Sequence, residues 1–166
     1  SSVFETMLIG DTYKIDENKI KKVIPGVDKK IFIPDSSLEK ENIILSIGRI
    51  QKQKGQIQTL EFLNNFKKIE KDFKCYFIGG PSGKNGKEYL NQLKRSVEDL
   101  NLNSHVEFLD NLPQSEIIDL FKKAKLMIHT SQFETFGLVA IEANAMGVPV
   151  LTTNNGSLME LSLIHI

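Results

Sequence analysis

Five short apolar runs alternate along the chain with four stretches whose apolar residues recur at steps of three and four. This alternation restricts the fold more than any other feature. The runs are Asn42 to Ile47, Lys74 to Ile78, His105 to Leu109, Leu126 to Thr130 and Val148 to Thr152, each rich in Ile, Val, Leu or Phe. Near-continuous apolar strands suit a parallel sheet covered on both faces. Between them, Ile57, Leu60, Leu63, Phe66, Ile69 and Phe73 make one helical stripe over Gln56 to Phe73. The pattern repeats over Lys87 to Leu100 (Leu90, Leu93, Val97, Leu100) and over Pro113 to Ala124 (Ile117, Leu120, Phe121, Ala124). A last helix is predicted from Phe136 to Met146, with Gly147 just past its end and Pro149 preventing continuation. The order β-α-β-α-β-α-β-α-β with right-handed crossovers gives an α/β, doubly wound parallel sheet. Such sheets bind ligands beyond the carboxyl ends of their strands. The loops after Ile47, Ile78, Leu109 and Thr130 are therefore where function is sought.

Composition narrows the classes. With 166 residues, 40% hydrophobic and 25% charged, the chain is long enough for one self-sufficient core. A formal net charge of +0 argues against an electrostatically driven nucleic-acid binder. Cys75 is the single cysteine, which excludes a disulfide framework and any Cys-based zinc site. No apolar run approaches the roughly 18 residues of a membrane span. The first residues, Ser1-Ser2-Val3-Phe4-Glu5, do not form a signal peptide and lack an initiator Met, which suggests a fragment. Residues 1–41 stand outside the alternation and read as an entry segment or linker with one short strand around Val23.

Four constellations lie at the predicted loops. Gly48-Arg49 and Lys54-Gly55 follow the first strand, and Arg49 and Arg95 are the two arginines of the chain. An Arg and a Lys five apart can converge on one anion, the Arg as a planar fork and the Lys as a point charge, beside a helix N-terminus starting near Gln56. Spacing alone slightly favours a merely solvated basic loop, Gln51-Lys52-Gln53-Lys54. In the second, Glu134 lies in the loop after the fourth strand. Gly137 is predicted in the first turn of the next helix, with N–H groups of Phe136, Gly137 and Leu138 able to bind a phosphate or sugar oxygen. Glu142 follows five residues later, about 7.5 Å along the axis, inside an otherwise apolar helix where a carboxylate needs a partner. Gly79-Gly80-Pro81 permits close approach but also simply makes turns. Thr152 to Ser157 with Glu160 reads best as a surface turn. His105, His129 and His165 show no metal spacing, and His129, inside a strand, reads as a satisfied core or rim histidine. There is no GxGxxG, P-loop, Asp-x-Asp pair or Gly-x-Ser-x-Gly elbow.

Together these pieces resemble the C-terminal, donor-binding domain of family-4 retaining glycosyltransferases of the GT-B fold, a Rossmann-like half-molecule. The strongest element is Glu134-Thr-Phe-Gly-Leu-Val-Ala-Ile-Glu142 with its trailing Ala-Asn-Ala-Met-Gly-Val-Pro-Val150. It is similar to that family's Glu-x7-Glu motif, as Gly48-Arg49 with Lys54-Gly55 is similar to its Gly-Arg…Lys-Gly motif. Val23 to Pro34 looks like the linker into the domain, and Val106 to Leu109 like its base-pocket strand.

The resemblance implies roles. Arg49 and Lys54 would neutralise the donor diphosphate, with Gly48 close by. Glu142 would hold the ribose hydroxyls. Glu134 would contact the donor sugar, aided by the N–H groups of Phe136, Gly137 and Leu138. Leu109 and Leu112 would line the nucleobase. Gly156, Ser157 and Glu160 occupy a loop resembling the family's Gly-Gly-x-x-Glu segment. Retaining members are thought to use front-face attack without an enzyme nucleophile. Asp110, Thr135 and Ser157 stand where the family commonly has glycine.

The division expected is residues 1–41 as linker and remnant of an N-terminal acceptor domain, 42–160 as the nucleotide-sugar-binding domain, and 161–166 as a non-native tail. The partners implied are a nucleotide-sugar donor, an unidentified acceptor (a sugar, glycan or lipid-linked molecule) and the missing N-terminal domain, with no cofactor, no metal and no nucleic acid. The location expected is cytoplasmic, with any membrane contact made through the missing half. Two other readings stay open: a non-catalytic nucleotide-binding domain of the same fold, and another GT-B enzyme such as a sugar-nucleotide epimerase or phosphorylase.

Overall fold

A computed structural model describes residues 3–16, 19–21, 23, 26–132, 134 and 136–153. The order is α1 (Val3–Tyr13), β1 (Glu41–Ile47), a 3-10 turn (Lys52–Lys54), α2 (Gln56–Phe66), β2 (Lys74–Ile78), α3 (Gly86–Asp99), β3 (Val106–Leu109), α4 (Gln114–Lys123), β4 (Ala124–His129), α5 (Leu138–Ala145) and β5 (Val150–Thr152). All strand pairs are parallel and the sheet order is β3-β2-β1-β4-β5, a doubly wound Rossmann-like sheet.

The period of two along β1 divides its side chains between two cores. Ile44 faces Leu60 and Leu63 of α2 and Tyr89, Leu93 and Val97 of α3, with Cys75 and Phe77 of β2. Ile43 and Leu45 join Phe121 of α4, Met127 of β4 and Ala143 and Met146 at the end of α5. Each fully buried Leu or Ile contributes about 1.5–3 kcal/mol over leaving it in water. Buried on both faces, β1 therefore has to be the centre of the sheet.

Several expectations are corrected. Residues 3–13, in the stretch expected to stand outside the alternation, form a helix that the sequence reading does not include; of the short strand expected around Val23, Val23 itself is exposed and in no strand, and Lys22, Ile24 and Pro25 lie outside the described residues. Helix α2 stops at Phe66, seven residues before Phe73. Ile69 is 86% exposed despite fitting the stripe, whereas Phe73 is buried from the segment that enters β2. Gly137 is the residue preceding α5, not part of its first turn: its φ of 74° is left-handed, and α5 begins at Leu138. Gly147 does end α5, also at positive φ.

Candidate functional site

The strand order reverses between β2-β1 and β4-β5, so the loops leaving β1 and β4 open a crevice at the carboxyl edge of adjacent strands. Gly48 and Arg49 leave β1, the 3-10 turn carries Lys54, and the β4–α5 loop carries Glu134. Although 80 positions apart, Lys54 and Glu134 meet: Lys54 Nζ lies 2.7 Å from Glu134 Oε2, with side chains 19% and 13% exposed. The same oxygen is 3.1 Å from Nε2 of His129, the last residue of β4, which is 5% exposed. Burial on its own would raise the Glu134 carboxyl. The hydrogen bonds and charges of His129 and Lys54 outweigh it and bring the pKa down to about 2. Glu134 is thus an anion across the working range, and His129 Nε2 must carry the proton that it shares.

The two loops are braced where this cluster forms. Thr130 Oγ1 donates to Gly55 O at 2.6 Å and lies 2.9 Å from Thr59 Oγ1. The Gln132 N–H donates to Gln53 O at 2.8 Å. Gly55, at φ 70°, begins α2 in the left-handed region, and a Cβ there would stand 2.0 Å from Thr130 O. No other residue lets the turn that carries Lys54 press so closely on the end of β4.

Arg49 does not share Lys54's anion in this structure. Its side chain is exposed, with no hydrogen bond or ion pair to a described residue. Its backbone is fixed, since buried Gln56 donates from Nε2 to Arg49 O at 2.9 Å. Gly48 is open, with nothing within 4 Å of where a Cβ would be. Glu142 on α5 is half-buried, its side chain forms no ion pair or hydrogen bond among the described residues, and burial raises its carboxyl above the ordinary range. The partner expected for it is therefore not supplied by a described side chain. Phe136 is partly buried, Gly137 buried and Leu138 exposed at the entrance to α5.

Leu109 and Leu112 stand apart from this cluster. They line a hollow of about 430 Å³ between the β3 edge and α4, with Tyr76 and Leu120 beside them and Glu107 and Glu116 at its rim. Strand β3 is two strands from β1, roughly 10 Å at the usual spacing. The β2 and β3 loops are stitched together, Gly80 N–H donating to Asn111 Oδ1 at 3.0 Å and Asn111 N–H to Asp110 Oδ1 at 2.7 Å. A Cβ on Gly80 would stand 2.8 Å from Asp110 Oδ1, so Gly80 serves loop packing. Positions 154–157 and Glu160 lie outside the described residues. Among the described residues no cluster of His, Cys, Asp and Glu forms a metal site, and no helix is long and apolar enough to cross a membrane.

Sequence reasoning missed what binds Glu134. His129 was read as satisfied, and it is, but by the candidate carboxylate. Thr59, Thr130 and Gln56 carried no signal, because their roles depend on β1 and β4 being neighbours.

A doubly wound parallel sheet with charged side chains gathered at its switch point defines the class of α/β proteins that bind ligands beyond the carboxyl ends of their strands. Residues 28–162 match the model of the glycosyl transferases group 1 family, and the chain belongs to that family. It is 30% identical over 167 residues to a D-inositol 3-phosphate glycosyltransferase of Acidothermus cellulolyticus, covering 93% of this chain and 37% of that protein. A glycosyltransferase of Rickettsia africae ESF-5 superposes with a TM-score of 0.83 at 28% identity, over 96% of this chain and 44% of that one. Anabaena Alr3699/HepE, solved with UDP and glucose, shares the fold at a TM-score of 0.84 and 22% identity. The chain thus spans less than half of each of these proteins, and its fold is that of the Rossmann-like C-terminal half of a GT-B glycosyltransferase.

Proposed function

We propose that this chain is the donor-binding half of a retaining glycosyltransferase that takes a nucleoside-diphosphate sugar and, completed by an acceptor-binding half, transfers the glycosyl group to an acceptor. The observation that carries the reading is the crevice cluster. Lys54 and Glu134 pair at 2.7 Å at the switch point, in the loops that also carry Arg49, whose exposed side chain has no partner among the described residues. In this reading Arg49 and Lys54 hold the diphosphate, Gly48 gives it close approach, and the N–H groups around Phe136, Gly137 and Leu138 add partial positive charge.

Breaking the glycosidic bond leaves negative charge on the departing diphosphate. Cations fixed beforehand stabilise that charge more in the transition state than in the ground state, which is what accelerates a reaction. Glu134, with a pKa of about 2, is a weak base and a poor proton donor. It suits accepting hydrogen bonds from sugar hydroxyls while the acceptor attacks from the leaving-group face. Glu142 accepts from the ribose hydroxyls. The base lies toward Leu109 and Leu112, a separation that an extended nucleotide spans. The chain on its own binds donor without transferring it.

The test is thermal unfolding with UDP, GDP and ADP. Ligand at a hundredfold excess over Kd stabilises the native state by about 2.7 kcal/mol, a rise of about 5–10 °C for a chain of this size. No shift with any of the three refutes the reading.

A further inference from the structure

We propose that Gln56 is a positioning residue that sets the direction in which Arg49 meets the donor diphosphate. The proposal rests on the reading just given, in which Arg49 binds the diphosphate.

The Arg49 side chain is exposed, and no hydrogen bond or ion pair among the described residues directs its guanidinium. Its aim therefore depends on its backbone. On the β2 side that backbone is pinned twice, Gly48 N–H donating to Ile78 O and Ile50 N–H to Gly80 O, each at 2.9 Å. The second of these bonds holds one end of the peptide plane that joins Arg49 to Ile50. The other end of the same plane is Arg49 O, which accepts from Gln56 Nε2 at 2.9 Å. A planar peptide held at its N–H and at its carbonyl cannot swing. The direction of the Arg49 Cα–Cβ bond, and so the arc its guanidinium can reach, is set by this pair of bonds.

Gln56 can act as a rigid arm because its own base is fixed. It is the first residue of α2 and is 4% exposed. The N–H that follows, of Ile57, donates to the hydroxyl of buried Tyr89 at 3.3 Å. The amide is also an awkward choice for a purely structural position. Its Oε1 is buried with no hydrogen-bond partner among the described residues. A stranded buried acceptor is unfavourable, and a methionine of similar length would fill the same space without one. Turning the amide over would only set Oε1 against Arg49 O, two acceptors face to face. What glutamine offers over methionine at this position is the single donor to Arg49 O.

Gln56→Met removes that donor and nearly keeps the volume. Calorimetric titrations with inorganic pyrophosphate, UDP and GDP, run well below the melting temperature of each variant, test the consequence. Gln56→Met is expected to bind about fivefold more weakly, because a guanidinium held off line gives up part of its charge-assisted hydrogen bonding. The decisive comparison repeats the substitution in Arg49→Ala, with the anion that binds most tightly. There Gln56→Met should change the affinity by less than about twofold, since no guanidinium remains to be aimed. A merely structural role would weaken binding equally in both backgrounds.

Should Gln56→Met fail to fold, Gln56→Asn carries the same comparison, its amide one methylene too short to reach Arg49 O. Unchanged affinity in the Gln56 variant, or an equal loss with and without Arg49, overturns the inference. If the unaltered protein binds none of the three anions, or Arg49→Ala binds them as tightly as the unaltered protein, the proposed function fails and this inference with it, a separately visible result.

Discussion

Replacing Glu134 by Gln removes one charge from a nearly closed cluster, and the structure sets the size and pH dependence of the effect. The folded carboxyl has a pKa of about 2. An unfolded Glu titrates near 4.3. Because the folded value is depressed, ionised Glu134 stabilises the fold at pH values above the unfolded pKa, and this contribution is lost as pH falls toward 2. The separation of about 2.3 pH units corresponds to about 3 kcal/mol if nothing screens it. Lys54 at 19% exposed admits water to the cluster, which reduces the figure to about 1.5 kcal/mol. Glu134→Gln is therefore expected to unfold about 3–6 °C lower at pH 7. By pH 3 the difference falls to about half. Urea unfolding of both proteins at pH 7 and pH 3 measures it. An equal difference at the two pH values would refute a charge origin, and no difference at pH 7 would refute the cluster.

Gly55→Ala places a methyl group against Thr130 O and forces an alanine to a φ of 70°. A loss of about 2–4 kcal/mol is expected in denaturant unfolding, from left-handed strain and the clash together. Glu142 shows the opposite pH behaviour to Glu134. Burial raises its pKa, so the folded state holds its proton more tightly than the unfolded chain, and ionising it costs stability at neutral pH. Glu142→Gln is expected to raise the melting temperature at pH 7, the gain shrinking as pH falls through the raised pKa and vanishing below about 4.3.

The sheet was legible because its strands are short, apolar and evenly interrupted. β2 falls at Lys74–Ile78 as the apolar run alone predicts, and each of the other four strands overlaps its run. The helix ends were less legible. Ile69 keeps the period of α2 yet stands in water, because periodicity does not register where a helix stops folding back on the sheet. Helix α1 was missed since residues 3–13 carry hardly any amphipathic pattern to read. The members of the candidate site were legible as Arg49, Lys54, Glu134 and Glu142, but not their pairing. Lys54 meets Glu134 because β1 lies beside β4, and strand order is decided by which faces α2, α3, α4 and α5 cover. His129 carries no spacing signal, and its role follows entirely from standing at the end of the strand beside β1.

Calorimetric titration of UDP, GDP and ADP into the protein and into Arg49→Ala tests the donor-diphosphate site most directly. Arg49 is exposed and has no described partner, so its removal leaves the melting temperature unchanged while taking away charge-assisted hydrogen bonds to the diphosphate. Such bonds contribute about 1.5–3 kcal/mol, roughly a tenfold to hundredfold change in Kd. Binding of at least one of these nucleotides, weakened to that extent in Arg49→Ala, is the predicted result. Equal affinity in the two proteins would contradict it.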